Sequence, residues 1–108
     1  MITIDVTRNK NCQIVRFTVE GHAGYSERGT DIVCASVTTA VMTAVNGLTD
    51  VAGIQLTPVI KDGYLDCKLP ETLSQQERFS TDLLLESMML TLQNIVLQYG
   101  DYVNLREM

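Results

Sequence analysis

Ile2-Thr3-Ile4-Asp5-Val6-Thr7-Arg8-Asn9-Lys10-Asn11-Cys12-Gln13-Ile14-Val15-Arg16-Phe17-Thr18-Val19-Glu20 is the stretch from which the fold is read. Over residues 2–8, Ile2, Ile4 and Val6 alternate with Thr3, Asp5 and Thr7. Over 13–20, Val15, Phe17 and Val19 alternate with Arg16, Thr18 and Glu20. A period of two marks strands with one dry face and one wet face. Asn9-Lys10-Asn11 between them is a turn signal, so the pair reads as a hairpin whose dry face another layer must cover.

Working outward, two helical segments can provide that layer. Residues 31–49 have helical length, a cap candidate in Asp31 and Gly47 near the end. The β-branched Val37, Thr38, Thr39, Val41, Thr43 and Val45 disfavour helix only mildly. Cys34, Val37, Val41, Ala44 and Leu48 would share one stripe. No residue from Ile32 to Thr49 is charged, but Ser36, Thr38, Thr39, Thr43, Asn46, Gly47 and Thr49 make the segment too polar for a lone membrane span. It reads instead as a helix buried on more than one side.

A second hairpin follows, Ile54 to Lys61 and Tyr64 to Leu69, around Asp62-Gly63, a dipeptide suited to a type I′ turn. Pro58 places a bulge or sheet edge in its first strand. Ser74 and Glu77 fit a capping box at the start of a long helix that runs to about Tyr99 and ends at Gly100. Its apolar stripe is wide, from Phe79, Leu83, Leu84, Met88 and Leu90 through Leu92, Ile95, Val96 and Leu97. Tyr102 to Leu105 alternates again and adds a short strand. The expected fold is one α+β domain over 1–108, a two-layer sandwich with a mainly antiparallel sheet of 4–5 strands and two helices on one face, in the order ββαββα plus a short C-terminal strand.

With 108 residues, 45% hydrophobic and 19% charged, the chain is long and apolar enough for a single core. Its net charge of -5 and lack of a basic run argue against direct nucleic-acid binding. An acidic surface favours encounter with a basic protein. The three cysteines, Cys12, Cys34 and Cys67, form no CxxC pair, and no signal-peptide pattern precedes the first strand, which fits free thiols in a reducing cytosol. One histidine and scattered thiols give no zinc spacing, and Gly21, Gly24 and Gly29 fit no phosphate loop, so neither metal nor cofactor is expected.

The chemistry concentrates in Gly21-His22-Ala23-Gly24-Tyr25-Ser26-Glu27-Arg28-Gly29-Thr30-Asp31-Ile32-Val33-Cys34. If Asp31 is the N-cap, Cys34 occupies the third helical position, where orphan amides and the helix dipole favour a thiolate. The alternative for Cys34 is a small buried hydrophobe, the common fate of a free cysteine. His22 could swing across the helix start as base and then acid, or be a loop histidine with no task. Asp31 could cap the helix, orient His22, or divide its oxygens between both. Gly24 and Gly29 bracket a loop with Tyr25 at its head, a gate for substrate or a plain connection. Helix-start amides, including that of Cys34, could hold an oxyanion. Cys12 falls in a turn and Cys67 on a dry face, both without a chemical role.

Gly21-His22-Ala23, Gly29 and Asp31-Ile32-Val33-Cys34-Ala35 together resemble the bacterial ribosomal-processing cysteine protease family, called Prp, and the resemblance spans essentially the whole chain. It implies a cytoplasmic endopeptidase that removes an N-terminal extension from a large-subunit ribosomal protein, cutting after a bulky hydrophobic residue. It also implies a homodimer and a mobile loop between the catalytic residues. Carried over by position, it makes Cys34 the nucleophile and His22 the base, with Gly21 and Asp31 in support. Thr38 stands where the family often has serine, retaining the hydroxyl and adding a methyl. The rival readings are a non-enzymatic dimeric interaction module, built on the uncharged first helix and wide second stripe, and a redox-switch thiol.

Overall fold

The computed structural model describes residues 1–27 and 29–108; Arg28, in the loop between His22 and Cys34, lies outside them. The alternating segments pair as an antiparallel hairpin of β1 (Ile2–Arg8) and β2 (Ile14–Glu20), with Ile2, Ile4, Val6 and Phe17 buried. Thr7 opposes Arg16 while Arg8 opposes Ile14, so Val15 is an extra residue in β2. A bulge reverses the facing of the residues before it. Ile14 therefore turns into the core, and Val15, a core position by strict alternation, is only half-buried.

The chain continues as α1 (Ile32–Asn46), a π-helical extension over Gly47–Val51, β3 (Val59–Lys61), β4 (Tyr64–Lys68), α2 (Gln75–Tyr99) and β5 (Val103–Glu107). The five strands form one sheet in the order β3-β4-β2-β1-β5. All pairings are antiparallel except β1 with β5, which α2 delivers from β4 to the far edge of the sheet. The expected α+β sandwich is thus present, with a mixed sheet. One face carries Ile4, Phe17, Leu65, Cys67 and Val103 into the core beneath the helices. The other is wet and crossed by the ion pairs Arg16–Asp66 and Arg106–Asp5.

Three local expectations need correction. The strand before Asp62-Gly63 begins only at Val59, after Pro58, because proline has no N–H to give the ladder; β3 is an edge strand. Gly63 has φ +68 but Asp62 does not share the positive region, so the turn is not type I′. The first helix is buried on a single stripe of Val33, Val37, Val41, Ala44 and Val45, while Ile32, Ser36, Thr39 and Thr43 are exposed. Ile32–Val51 is long and apolar enough to cross a membrane, with a mean hydropathy of 1.5, yet only 39% of its most apolar window is buried. One chain has just one sheet to place beneath it, and among the described residues none covers the exposed positions Ile32, Ser36, Thr39 and Thr43.

The capping box of α2 forms as expected, Ser74 Oγ accepting from Glu77 N and Glu77 Oε1 from Ser74 N. Its stripe does so in part: Met88 and Leu92 are buried, and Leu84, Ile95 and Val96 pack against the core. Thr81, Leu85, Met88, Met89 and Leu92 face the core, whereas Phe79, Leu83, Leu90 and Leu97 are exposed. The helix is apolar on two sides, and the sheet and α1 cover only one of them. Periodicity cannot say which side wins when both are greasy.

Among the described residues, the fully buried hydroxyl of Thr81 has no hydrogen-bond partner. A buried unpaired hydroxyl costs about 1–3 kcal/mol. Thr81→Val keeps the shape and removes the penalty, so it should stabilise the fold by ~1 kcal/mol and raise Tm by roughly 4–8 °C. Calorimetry checks this; an unchanged or lower Tm means the hydroxyl is satisfied.

Candidate active site

The site begins where β2 ends. Gly21 has φ +95, and a Cβ there would run into the Met1 carbonyl oxygen, so neither its backbone nor its surroundings admit a side chain. Its N–H donates to Gly63 O at 2.9 Å, tying the end of β2 to the β3–β4 turn. His22 comes next. Its carbonyl accepts the Met1 ammonium at 2.6 Å, and its imidazole lies against Gly63, where a Cβ would sit 2.9 Å from Nε2. The hairpin turn is therefore a seat for the ring, and glycine is what makes room for it.

Ala23 is buried, and its N–H donates to Cys34 Sγ at 3.1 Å. The sulfur thus lies against the peptide unit that follows His22. On the helix side, Asp31 Oδ1 accepts from Val33 N and Cys34 N at 2.9 and 3.0 Å. Oδ2 accepts from Tyr25 N and Ser26 N at 2.9 and 3.2 Å. One carboxylate therefore caps α1 and clamps the head of the loop. Burial works against its charge, but the four backbone N–H groups prevail and hold its pKa below the ordinary 3.8.

These contacts answer two questions the sequence left open. Both Asp31 oxygens are engaged by backbone amides, and among the described residues no hydrogen bond joins Asp31 to His22. The amides of Val33 and Cys34 are bonded to Oδ1, and that of Ala35 to Asp31 O, so the Cys34 amide and its two neighbours in the first turn already have acceptors. A side-chain cap uses the very amides that an oxyanion would need.

Cavities flank the thiol on two sides. One of about 600 Å³ is lined by His22, Gly24, Ser26, Gly29, Asp31, Cys34 and Thr38 among others. The other, about 460 Å³, is framed by His22, Cys34, Thr38, Val41, Met42, Ile60 and Leu65 among others, between α1 and the β3–β4 hairpin. Cys34, His22 and Thr38 border both. A larger groove of about 790 Å³ lies between α1 and α2, away from the thiol, and contains no charged side chain. Size alone would favour that groove; the thiol and the imidazole border the smaller pair.

The loop glycines Gly24 and Gly29 have φ +72 and +90, conformations that cost glycine little. Tyr25 meets Tyr99 and Tyr102 edge-on, with ring centroids 5.8 and 5.2 Å apart. Cys12 is exposed in the β1–β2 turn, and burial pushes the Cys67 thiol up to about 12, so it stays protonated and unreactive. No cluster of three or more metal-ligating side chains occurs among the described residues.

Sequence reasoning missed the Gly63 seat, the Ala23 amide and the tyrosine pair at 99 and 102. Asp62-Gly63 was visible as a turn, but its contact with His22 depends on strand pairing. The other two have no sequence signal of their own.

A thiol at a capped helix start, sharing the border of two clefts with an imidazole, gives this α+β sandwich the layout of a cysteine hydrolase. Residues 1–104 match the family described as Cysteine protease Prp. The ribosomal processing cysteine protease Prp of Bacillus subtilis (strain 168) is 38% identical over 108 residues, covering 98% of this chain and 95% of that protein. The namesake from Staphylococcus aureus (strain Mu50) is 27% identical over 107 residues, covering 97% of each. Among solved structures, the essential ribosomal processing protease Prp of S. aureus, in complex with a covalently linked product peptide, superimposes with a TM-score of 0.89 at 26% identity over 100% of both chains. SMU.848 from Streptococcus mutans gives 0.79 at 31% identity, covering 100% of this chain and 94% of that one. The chain belongs to the Prp family of cysteine proteases.

Proposed function

We propose that this protein is an endopeptidase using a Cys34–His22 dyad to remove the N-terminal extension of a large-subunit ribosomal protein, cutting after a bulky hydrophobic residue. The observation that carries the reading is the shared border of Cys34 and His22 on two adjoining cavities. His22 takes the thiol proton, the sulfur attacks the scissile carbonyl, and His22 returns the proton to the departing amine. Water then releases the acyl group. The cavity between α1 and the hairpin offers Val37, Val41, Met42, Ile60 and Leu65 to a large apolar side chain. A net charge of -5 suits a basic ribosomal-protein substrate drawn in by long-range attraction. The S. aureus relative was crystallised with a product peptide covalently attached, which supports a peptide substrate here. The reading places the protein in the cytoplasm, where ribosomal proteins are made, and needs neither metal nor cofactor.

The test is incubation of the purified protein with a ribosomal precursor peptide bearing such an extension, followed by mass spectrometry. A single cut after the bulky apolar residue is expected. Failure to cut, by a protein that nonetheless binds the peptide, favours an interaction module. Reversible oxidation of Cys34 without peptide turnover favours the redox switch.

The active species is a homodimer in this reading. Phe79, Leu83, Leu90 and Leu97 are 57–83% exposed along one side of α2, an apolar ridge beside the uncharged α1–α2 groove. Leu90→Glu is expected to shift sedimentation from dimer to monomer; a monomeric wild type contradicts the assignment.

A further inference from the structure

Given the dyad mechanism above, on which this step rests, we infer that the backbone N–H of Ala23 is the oxyanion donor of the reaction. Acyl transfer needs a donor aimed at the carbonyl oxygen as it gains charge. The amides of Val33 and Cys34 are bonded to Asp31 Oδ1, and that of Ala35 to the Asp31 carbonyl. The Ala23 amide, by contrast, has the reacting sulfur itself as its acceptor, at 3.1 Å.

Charge follows a short path in this step. The sulfur electron pair forms the C–S bond, and the carbonyl π pair moves onto oxygen. The negative charge passes from sulfur to an oxygen two bonds away. A donor already pointing at the sulfur follows that charge with a small reorientation. It exchanges a weak sulfur acceptor for an anionic oxygen, so its bond strengthens toward the transition state, as catalysis requires. When the intermediate collapses, the pair returns to the C=O bond, the C–N bond breaks and His22 protonates the amine.

The peptide unit is also held still before substrate arrives. Its carbonyl half is fixed by the Met1 ammonium on His22 O. The strand end before it is tied through Gly21 N to Gly63 O, and Asp31 Oδ2 grips Tyr25 N and Ser26 N after it. A rigid donor need not reorganise during the reaction, which gives an oxyanion hole its effect.

The experiment is a full-length chain, made by chemical ligation, in which residue 23 is replaced by its α-hydroxy acid, exchanging the N–H for an ester oxygen. Two rates are read. Peptide cleavage develops an oxyanion; alkylation of Cys34 by iodoacetamide does not. Cleavage should fall about 100- to 1,000-fold, with alkylation changed far less. Equal losses in both rates would assign the N–H to holding the thiolate and overturn the inference, as would no loss in either. A second measurement needs no altered chain. In the wild type, a peptidyl trifluoromethyl ketone forms a thiohemiketal oxyanion on Cys34, and the Ala23 amide proton should move downfield on adduct formation. An unmoved resonance overturns the assignment. If Cys34→Ala still cuts the peptide, the dyad reading itself fails, a result distinct from either outcome above.

Discussion

Cys34→Ala should lower peptide cleavage by roughly 10⁴-fold or more, leaving what binding and the remaining dipoles supply. The size of the effect follows from chemistry rather than packing. Cys34 is only partly buried, at the edge of the core, so the variant should fold like the wild type. His22→Ala should cost about 100- to 10,000-fold in kcat, the range for removing a general base. The two losses should not add, because base and nucleophile act as a unit. Steady-state kinetics on the single and double variants read this directly. A Cys34→Ala enzyme with turnover close to wild type would exclude the thiol as nucleophile. A double variant whose loss is the product of the single losses would exclude a coupled pair.

Asp31→Ala ranks second because one carboxylate does two jobs. Its removal leaves Val33 N and Cys34 N without a cap and frees Tyr25 N and Ser26 N at the head of the loop. Cys34 then loses the anchor on its own amide, and a misplacement near 1 Å is enough for a loss of about 100-fold in kcat/KM. Asp31→Asn separates the two jobs. Its side-chain oxygen can keep the cap, while its NH₂ group meets the loop amides donor to donor. The asparagine variant should therefore keep most of its stability and lose activity.

The same residue sets an acid dependence. Its folded pKa lies below the ordinary 3.8, so its contribution is complete above that value and is lost as pH falls through the lower folded one. Urea midpoints of wild type and Asp31→Asn should differ at neutral pH and converge on acidification. A gap that stays constant into strong acid would mean the carboxylate charge is not what the loop and cap rely on.

Much of the architecture was legible in local pattern. Alternation at Ile2, Ile4 and Val6, the Ser74–Glu77 box and the Asp31 cap each depend on residues within a few positions of one another. The structure has all of them. The errors arose where a distant partner decides. Val15 departs from strict alternation because a bulge, not parity, sets its facing. Phe79, Leu83, Leu90 and Leu97 are exposed despite their periodicity because two faces of α2 are apolar and the chain covers one. An uncharged first helix reads as buried on more than one side, but a single sheet can cover only one stripe of it.

The site divides along the same line. Order in the chain is enough to nominate Cys34, His22 and Asp31, since a thiol behind a cap and a lone imidazole before a glycine-hinged loop are matters of composition and spacing. Which atoms meet is not. The Ala23 amide against Sγ, the Gly63 turn beneath the His22 ring and the Tyr25 contact with Tyr99 and Tyr102 exist only because β2 pairs with β4 and β5 returns beside β1. Backbone amides look alike in sequence. Hydrogen bonding between segments far apart in the chain determines which of them caps the helix and which faces the sulfur.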